Sequence, residues 1–185
     1  MIDLALSHLR AGDVIGLPTD TVYGIGADPR HPQAVVRVFA LKGRSLEQPI
    51  GLLVADLETA LEAVELPEYA RLWASLHWPG PLNLVARPKK SWPPGVGDAS
   101  SLAVRVPDHE TALELLAVSG PLAVTSANRS GGAETLNDVE AASVFGIDVP
   151  FYLAGEARGG EASTTIDVRS DEPVLLRPGP LDLGI

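Results

Sequence analysis

The amino-acid sequence predicts a single α/β domain, and three observations support this class. Short apolar runs of strand length alternate with amphipathic segments of helix length along the whole chain. No internal repeat or linker-like break divides the sequence. Its 185 residues suffice for one substantial hydrophobic core and are few for two. We therefore expect residues 1–185 to fold as one domain.

The predicted elements follow from local patterns, taken from the N-terminus onward. Helices are predicted where apolar residues recur every three to four positions, over residues 2–10, 32–42, 57–64, 67–78, 109–118 and 137–144. Strands are predicted at short apolar runs, over residues 14–17, 50–55, 82–86, 102–106, 121–124, 165–168 and 174–176. Pro32 suits a first helical turn, Gly12 ends the first helix, and Asp56 and Asp108 are expected to be caps.

Residues 87–101 are predicted to be the longest loop. The segment contains three prolines and two glycines and has no apolar periodicity. Loops of this length are often lids or binding loops, and otherwise they are simply mobile. Both interpretations remain open from the sequence.

The charge balance argues against a nucleic-acid-binding surface. The net charge is −10, from 24 acidic and 14 basic residues, whereas proteins that grip nucleic acid along their surface are usually basic. Eleven of the basic residues are arginines, whose planar fork suits carboxylate and phosphate. We therefore expect arginines gathered in one pocket for a small anion.

Cysteine and targeting signals are also informative. The chain has no cysteine, which removes thiolate nucleophiles, disulfides and zinc–thiolate sites from consideration. No apolar stretch approaches 18 residues, and the first residues do not resemble a signal peptide. We expect a cytoplasmic protein that does not bind membranes.

The stretch from Leu17 to Gly26 is the first candidate site. It follows an apolar strand and places Thr19, Asp20, Thr21 and Tyr23 close together, with glycines that would let a ligand approach the backbone. Ligands of open α/β sheets bind at such strand ends. An ordinary polar turn is the alternative interpretation of this stretch.

Further polar clusters end other predicted elements, at residues 42–44, 101–105, 125–130, 163–167 and Arg177. Each could be a cap or a turn. Arg105 stands out because it closes an apolar strand, where an unpaired guanidinium would be very costly, so it must meet a protein carboxylate or a ligand anion. Residues 125–132 have the composition of an anion-binding nest without the lysine of a Walker loop.

No nucleophilic triad or metal-ligand pattern accompanies these clusters. The sequence has neither a Gly-x-Ser-x-Gly elbow nor a His-x-x-x-His pair, and its four histidines are scattered. An enzyme with this site would work mainly by positioning its substrates and stabilising charge.

Together the clusters resemble the YrdC family of threonylcarbamoyl-AMP synthases, nearly from end to end. Seven motifs occur in the family's order: Pro-Thr-Asp-Thr-Val-Tyr-Gly at 18–24, Lys-Gly-Arg at 42–44, Trp-Pro-Gly-Pro-Leu at 78–82, Ala-Val-Arg-Val-Pro at 103–107, Thr-Ser-Ala-Asn-x-Ser-Gly at 125–131, Ser-Thr at 163–164 and Leu-Arg-Pro-Gly at 176–179. One such motif would be weak support, whereas seven in order are highly specific.

The resemblance implies a fold and a reaction. The fold would be a twisted, open, mixed sheet with flanking helices around a large cationic cavity. L-threonine, bicarbonate and ATP would give threonylcarbamoyl-AMP and pyrophosphate, with Mg²⁺ accompanying the ATP. The product would pass to a tRNA threonylcarbamoyl-transferase complex for the t⁶A modification at position 37, with weak or no direct tRNA binding by this chain.

The resemblance also implies residue roles. The residues expected to bind L-threonine are Thr21, Tyr23, Arg105, Ser126 and Ser163, with Arg105 taking the carboxylate. Those expected to bind ATP are Lys42, Arg44, Ser101, Asn128 and Arg177. Lys42 and Arg44 would also be catalytic by neutralising phosphate charge, and no residue is expected to be a metal ligand or an obvious general base.

The sequence departs from the family pattern at several positions. Ser45 replaces a usual proline, Leu53 lies near a position that often carries a polar residue, and Asn83 replaces a common threonine. Three alternatives stay open. They are an RNA-binding or ribosome-maturation module of the same fold, a carbamoyl-adenylate activity like that of hydrogenase-maturation carbamoyltransferases, and a paralogue of other activity.

Overall fold

The computed structural model describes residues 1–184. The six α-helices found in this range are α1 (Ile2–Arg10), α2 (Pro32–Lys42), α3 (Leu57–Ala63), α4 (Glu68–His77), α5 (Glu110–Ser119) and α6 (Asp138–Phe145), with a 3₁₀ turn at Gly146–Asp148. The strands are β1 (Ile15–Leu17), β2 (Gly24–Ala27), β3 (Gly51–Leu53), β4 (Val64–Glu65), β5 (Leu82–Pro88), β6 (Leu102–Arg105), β7 (Leu122–Ser126), β8 (Phe151–Tyr152), β9 (Thr164–Asp167) and β10 (Val174–Arg177).

The strands form one mixed sheet in the order β10-β9-β5-β6-β3-β7-β2-β1-β8, and β4 pairs with the end of β5 outside this path. Parallel pairs join β1 to β8, β3 to β6 and β5 to β9, and the other pairs are antiparallel. The mixed α/β architecture with flanking helices is therefore confirmed.

Two apolar layers cover the sheet. One cluster packs Leu9 of α1 and Leu115 and Leu116 of α5 against strand residues that include Leu17 and Leu122. The larger cluster contains Tyr23, Phe39, Leu84 and Val104 together with alanines of α3, α4 and α6. No helix within residues 1–184 has both the length and the apolar content needed to cross a membrane.

Local capping confirms most of the predicted helix boundaries. Gly43 adopts a left-handed conformation, with a φ of 65°, and ends α2. The side chain of Asp56 accepts a hydrogen bond from the Thr59 N–H at 2.7 Å and begins α3. The prediction that Asp108 caps α5 is wrong, because the N-cap is His109, without a side-chain cap bond.

The short strand β2 was missed, since its sequence was interpreted as part of a ligand-binding turn. Gly24 and Gly26 pair with β7, and a Cβ atom at either position would come within 2.9 Å of the Val124 side chain. The glycines therefore permit close packing against β7. β4 and β8 have two residues each, too few for a periodic pattern. β5 extends to Pro88, so the long loop covers residues 89–101.

Candidate active site

A single open cavity of about 400 Å³ gathers most of the predicted site residues. Its floor is the face of the sheet formed by β3, β6, β5 and β9, and its walls come from the segments that follow β1, α2 and β7. Gly51 and Ala103 are small residues of this floor. A Cβ atom at Gly51 would lie 2.8 Å from the Ala103 carbonyl oxygen, so a larger residue does not fit there. The cavity is therefore a product of where small residues fall on the sheet.

The lining of this cavity is cationic although the chain is acidic. Arg44, Arg105 and Arg177 line it, against a single described carboxylate, Glu134. This distribution agrees with the expectation that arginines gather in one pocket. Arginines held together at a low-dielectric surface attract anions such as carboxylate and phosphate.

Arg105 is buried at the C-terminal end of β6 and is paired with Asp20. Its Nη2 donates to the Asp20 carboxylate, its Nη1 to Thr21 Oγ1 at 2.9 Å and its Nε to the Gly80 carbonyl at 3.0 Å. Asp20 also accepts from the backbone N–H of Asp108 at 3.0 Å. Burial lowers the pKa of Arg105, and the Asp20 carboxylate opposes that shift.

The anion that Arg105 requires is therefore present within the protein. The guanidinium has five N–H groups, and three of them are donated to Asp20, Thr21 and Gly80. Two N–H groups are left without a partner among residues 1–184. Arg105 lines the cavity, so these two N–H groups are the part of the guanidinium that remains for another acceptor.

Lys42 is also buried, but it is held by neutral oxygens. Its Nζ donates to the carbonyl oxygens of Ser126 at 2.6 Å and Asn128 at 2.8 Å, and to Asn128 Oδ1 at 2.9 Å. Burial lowers the pKa of Lys42 to about 8; repulsion from Arg44 adds to the decrease, and Glu134 opposes it. All three ammonium donors are thus used to hold the turn after β7.

The turn after β7 is a small hydrogen-bonded network. Ser126 Oγ donates to Asn128 Oδ1 at 2.8 Å, and Asn128 Nδ2 donates to the Gly132 carbonyl at 2.6 Å. Ser126 lines the cavity, whereas Asn128 lies beneath it. Thr125 and Ser126 belong to strand β7, so the first two residues of the predicted nest lie in a strand, and the nest itself stays a prediction.

The remaining two arginines of the lining come from different segments: Arg44 follows α2 and Arg177 ends β10. Arg44 Nη2 donates to the Pro49 carbonyl at 3.2 Å, and its buried Nε has no partner within the described residues. Burial lowers the pKa of Arg44. Arg177 Nε and Nη2 donate to the Ser163 carbonyl at 3.0 and 2.8 Å, and Nη2 also donates to Ser163 Oγ at 3.1 Å.

Four of the predicted site residues do not line the cavity: Lys42 and Asn128, described above, and Tyr23 and Ser101. Tyr23 is fully buried in the core, where its hydroxyl donates to the Leu153 carbonyl at 2.8 Å and burial raises its pKa. Ser101 Oγ donates to the Asp98 carboxylate at 2.7 Å in the long loop, and it is not among the lining residues. Neither position favours a direct ligand contact, and the binding roles of Tyr23 and Ser101 stay predictions.

Sequence reasoning placed Asp20 in the first candidate site without naming its partner, and it assigned no role to Asn83 and Glu134. Asp20 lies 85 positions before its partner Arg105, and no sequence signal joins them. Asn83 and Glu134 both line the cavity. In the sequence, Asn83 lies between Leu82 and Leu84 in a strand-like run, and this alternation was the one signal that could have pointed to it.

This chain belongs to the Sua5_yciO_yrdC family. The family model, described as telomere recombination, matches residues 7–179. The resemblance stated from the seven motifs is therefore confirmed, and the site lies within the matched region.

Named relatives and a solved structure agree with this assignment. Threonylcarbamoyl-AMP synthase of Pyrococcus abyssi is 41% identical over 98% of this chain and 55% of its own length. Threonylcarbamoyl-AMP synthase of Photobacterium profundum is 36% identical over 94% of this chain and 96% of its own length. The crystal structure of P. abyssi Sua5 complexed with L-threonine superimposes with a TM-score of 0.91 at 38% identity, covering 96% of this chain and 54% of that one.

The lengths of these relatives differ. This chain spans little more than half of the P. abyssi proteins but almost the whole of the P. profundum protein. The fold described above is thus shared with longer and shorter members.

Proposed function

We propose that this protein is a threonylcarbamoyl-AMP synthase, which converts L-threonine, bicarbonate and ATP to threonylcarbamoyl-AMP and pyrophosphate. The observation that carries the proposal is the cavity itself, in which three arginines and a hydroxyl-rich wall surround a space of about 400 Å³. Both named relatives described above carry this activity in their names. We expect the reaction to take place in the cytoplasm.

Threonine binding would begin at Arg105. Its two free N–H groups can take the α-carboxylate, while Asp20 and Thr21 fix the plane of the guanidinium. Thr21, Ser126 and Ser163 line the same cavity and offer hydroxyls to the rest of the amino acid. The free amine of threonine then attacks carbon dioxide derived from bicarbonate and loses a proton to form the carbamate.

The second step is adenylyl transfer. A carbamate oxygen attacks the α-phosphorus of ATP, and the bond to the bridging oxygen of pyrophosphate breaks. Arg44 and Arg177 line the cavity where they can meet phosphate oxygens, and the ammonium of Lys42 lies behind Ser126. Catalysis of this kind depends on alignment and charge neutralisation.

Mg²⁺ is expected to enter with ATP. Within residues 1–184 no three His, Cys, Asp or Glu side chains are grouped so that they could hold a metal ion, and Glu134 is the one described carboxylate of the lining. Such a donor set fits an ion carried on substrate phosphates, since Mg²⁺ is commonly held by one or two carboxylates plus phosphate oxygens. When bound, it would neutralise phosphate charge.

Pyrophosphate release tests the proposal directly. We expect release from ATP and Mg²⁺ only when both L-threonine and bicarbonate are present. Arg44→Ala should abolish most of this release. Arg37→Ala is the matched control, because the one hydrogen bond found for its side chain within residues 1–184 goes to the Asp148 carbonyl, and Arg37 lies on the exposed side of α2. Release that ignores threonine or bicarbonate would contradict the proposal.

The same preparation separates the alternative of an RNA-binding module. Folded protein that releases no pyrophosphate but binds tRNA, with an affinity that falls steeply as salt rises, would replace the synthase by a binding protein. Product transfer to a tRNA-modifying complex, without direct tRNA binding by this chain, belongs to the proposed function.

A further inference from the structure

One row of side chains crosses four neighbouring strands on the cavity floor. The register pairs Leu53 of β3 with Arg105 of β6, and Asn83 of β5 with Thr165 of β9. Since β5 and β6 are antiparallel and pair Leu84 with Val104, the adjacent positions Asn83 and Arg105 also lie opposite each other. All four side chains line the cavity, as expected for cross-strand neighbours on one face.

Asn83 has hydrogen-bonding capacity that the described chain does not use. Its Nδ2 donates to Thr165 Oγ1 at 3.4 Å, a long contact, and no other hydrogen bond of its side chain is found within residues 1–184. A carboxamide offers one acceptor oxygen and two N–H donors. Asn83 is therefore a half-buried polar group directly beside Arg105 and open to a ligand.

The next row of the floor is apolar. Val85 lies two residues beyond Asn83 on the same face of β5, opposite Ala103 of β6, and both line the cavity. Residues two apart in a strand are separated by about 7 Å. The polar side chains of Arg105 and Asn83 thus adjoin an apolar row about 7 Å further along the strands. This surface matches a carbon atom that carries both a hydroxyl and a methyl group.

We propose that Asn83 determines amino-acid specificity by hydrogen-bonding the β-hydroxyl of the substrate, while Val85 and Ala103 contact its methyl group. The proposal rests on the proposed function, since it takes Arg105 as the anchor of the carboxylate. With the carboxylate on Arg105, the reacting amine must face the carbon dioxide that it attacks, on the side of Arg44 and Arg177. The side chain is then directed to the floor, where Asn83 lies.

The test compares L-threonine with L-valine, which has the same shape but a methyl group in place of the hydroxyl. Their dissociation constants are measured by calorimetry on the full chain without ATP. We expect wild-type protein to prefer threonine, and Asn83→Ala to weaken threonine binding roughly 2- to 12-fold, the range for a net hydrogen bond. Valine binding should change little, so the ratio of the valine to the threonine dissociation constant should fall.

Three variants keep the result interpretable. Asn83→Thr replaces the carboxamide by a hydroxyl that can still form a hydrogen bond and should keep part of the preference, whereas Asn83→Leu should lose it as Asn83→Ala does. Asn137→Ala is the matched control. Its side chain caps α6, accepting from the Glu140 N–H at 2.9 Å away from the cavity, so it should lower stability without changing the ratio.

Each other outcome overturns the inference in a recognisable way. An unchanged ratio in Asn83→Ala excludes a contact with the hydroxyl, and an equal loss for threonine and valine assigns Asn83 to the amine or the carboxylate. In both cases wild-type pyrophosphate release with threonine would leave the proposed function standing. If wild-type protein neither binds threonine nor releases pyrophosphate, both the role of Asn83 and the proposed function are wrong.

Discussion

Arg105 and Lys42 are two buried cations at one cavity, and they are neutralised differently. The Arg105 guanidinium is paired with the Asp20 carboxylate. The Lys42 ammonium donates to three uncharged oxygens, and no carboxylate within residues 1–184 lies within 4 Å of it. Arg105 and Asp20 together are therefore neutral, whereas Lys42 keeps a net positive charge.

This difference suggests a division of labour. A paired arginine offers direction, because its plane is fixed and its remaining N–H groups point one way. An unpaired ammonium offers charge, which attracts a polyanion such as the triphosphate of ATP. Substitution of Arg105 should therefore mainly lower the free energy of unfolding, whereas substitution of Lys42 should mainly lower the affinity for ATP.

Arg105→Ala should have the largest effect on stability. It leaves the Asp20 carboxylate buried without its partner, and breaking such a pair typically costs about 3–5 kcal/mol of the free energy of unfolding. Urea denaturation measures the change. Asp20→Asn combined with Arg105→Ala should recover part of the loss, because no unpaired charge is then buried. A double variant as unstable as the single one would contradict the ion-pair explanation.

Lys42→Met should be less destabilising but should weaken ATP binding. It removes three hydrogen bonds and leaves carbonyl oxygens unsatisfied, at about 1–3 kcal/mol, and it also removes a buried charge that lacked a carboxylate partner. We expect ATP affinity to fall at least about tenfold, as for the loss of a charged interaction, with threonine affinity changed little. Calorimetry with each substrate tests this. Equal losses for both substrates would mean that Lys42 acts only by holding the turn.

The pH dependence of Lys42 should have opposite signs for stability and for ATP binding. Burial lowers its pKa from 10.5 to about 8, so between these values the unfolded chain keeps a proton that the folded chain has released. The contribution of Lys42 to stability therefore rises with pH over this window. ATP affinity should fall over the same window, because the neutral amine carries no charge.

Comparing the pH profiles of wild type and Lys42→Met separates the titration of Lys42 from that of other groups. Urea midpoints and ATP dissociation constants are measured from pH 7 to 10. Relative to Lys42→Met, wild-type protein should gain stability and lose ATP affinity as the pH rises. Parallel pH profiles in the two proteins would show that Lys42 does not titrate in this range.

The fold could be predicted from the sequence because its signals are local. The helix caps at Asp56 and Asn137 and the left-handed Gly43 each depend on residues within one turn. The site was less predictable, since its contacts are distant in sequence. Arg105 required an anion, but whether Asp20 or a ligand supplied it depended on a pairing across 85 positions. β2 was missed because glycines that pack against β7 look the same in sequence as glycines that admit a ligand.

Tyr23→Phe should have the smallest effect on stability and activity. It serves as a control for Arg105 and Lys42, because it removes a buried polar group that carries no charge. Its hydroxyl is as buried as they are, yet it makes one neutral hydrogen bond, to the Leu153 carbonyl at 2.8 Å. Removing it should lower the free energy of unfolding by about 1–2 kcal/mol and leave kcat and the KM for threonine unchanged, because Tyr23 does not line the cavity. Urea denaturation and steady-state kinetics measure both. A several-fold rise in the KM for threonine at unaltered stability would instead place Tyr23 among the binding residues.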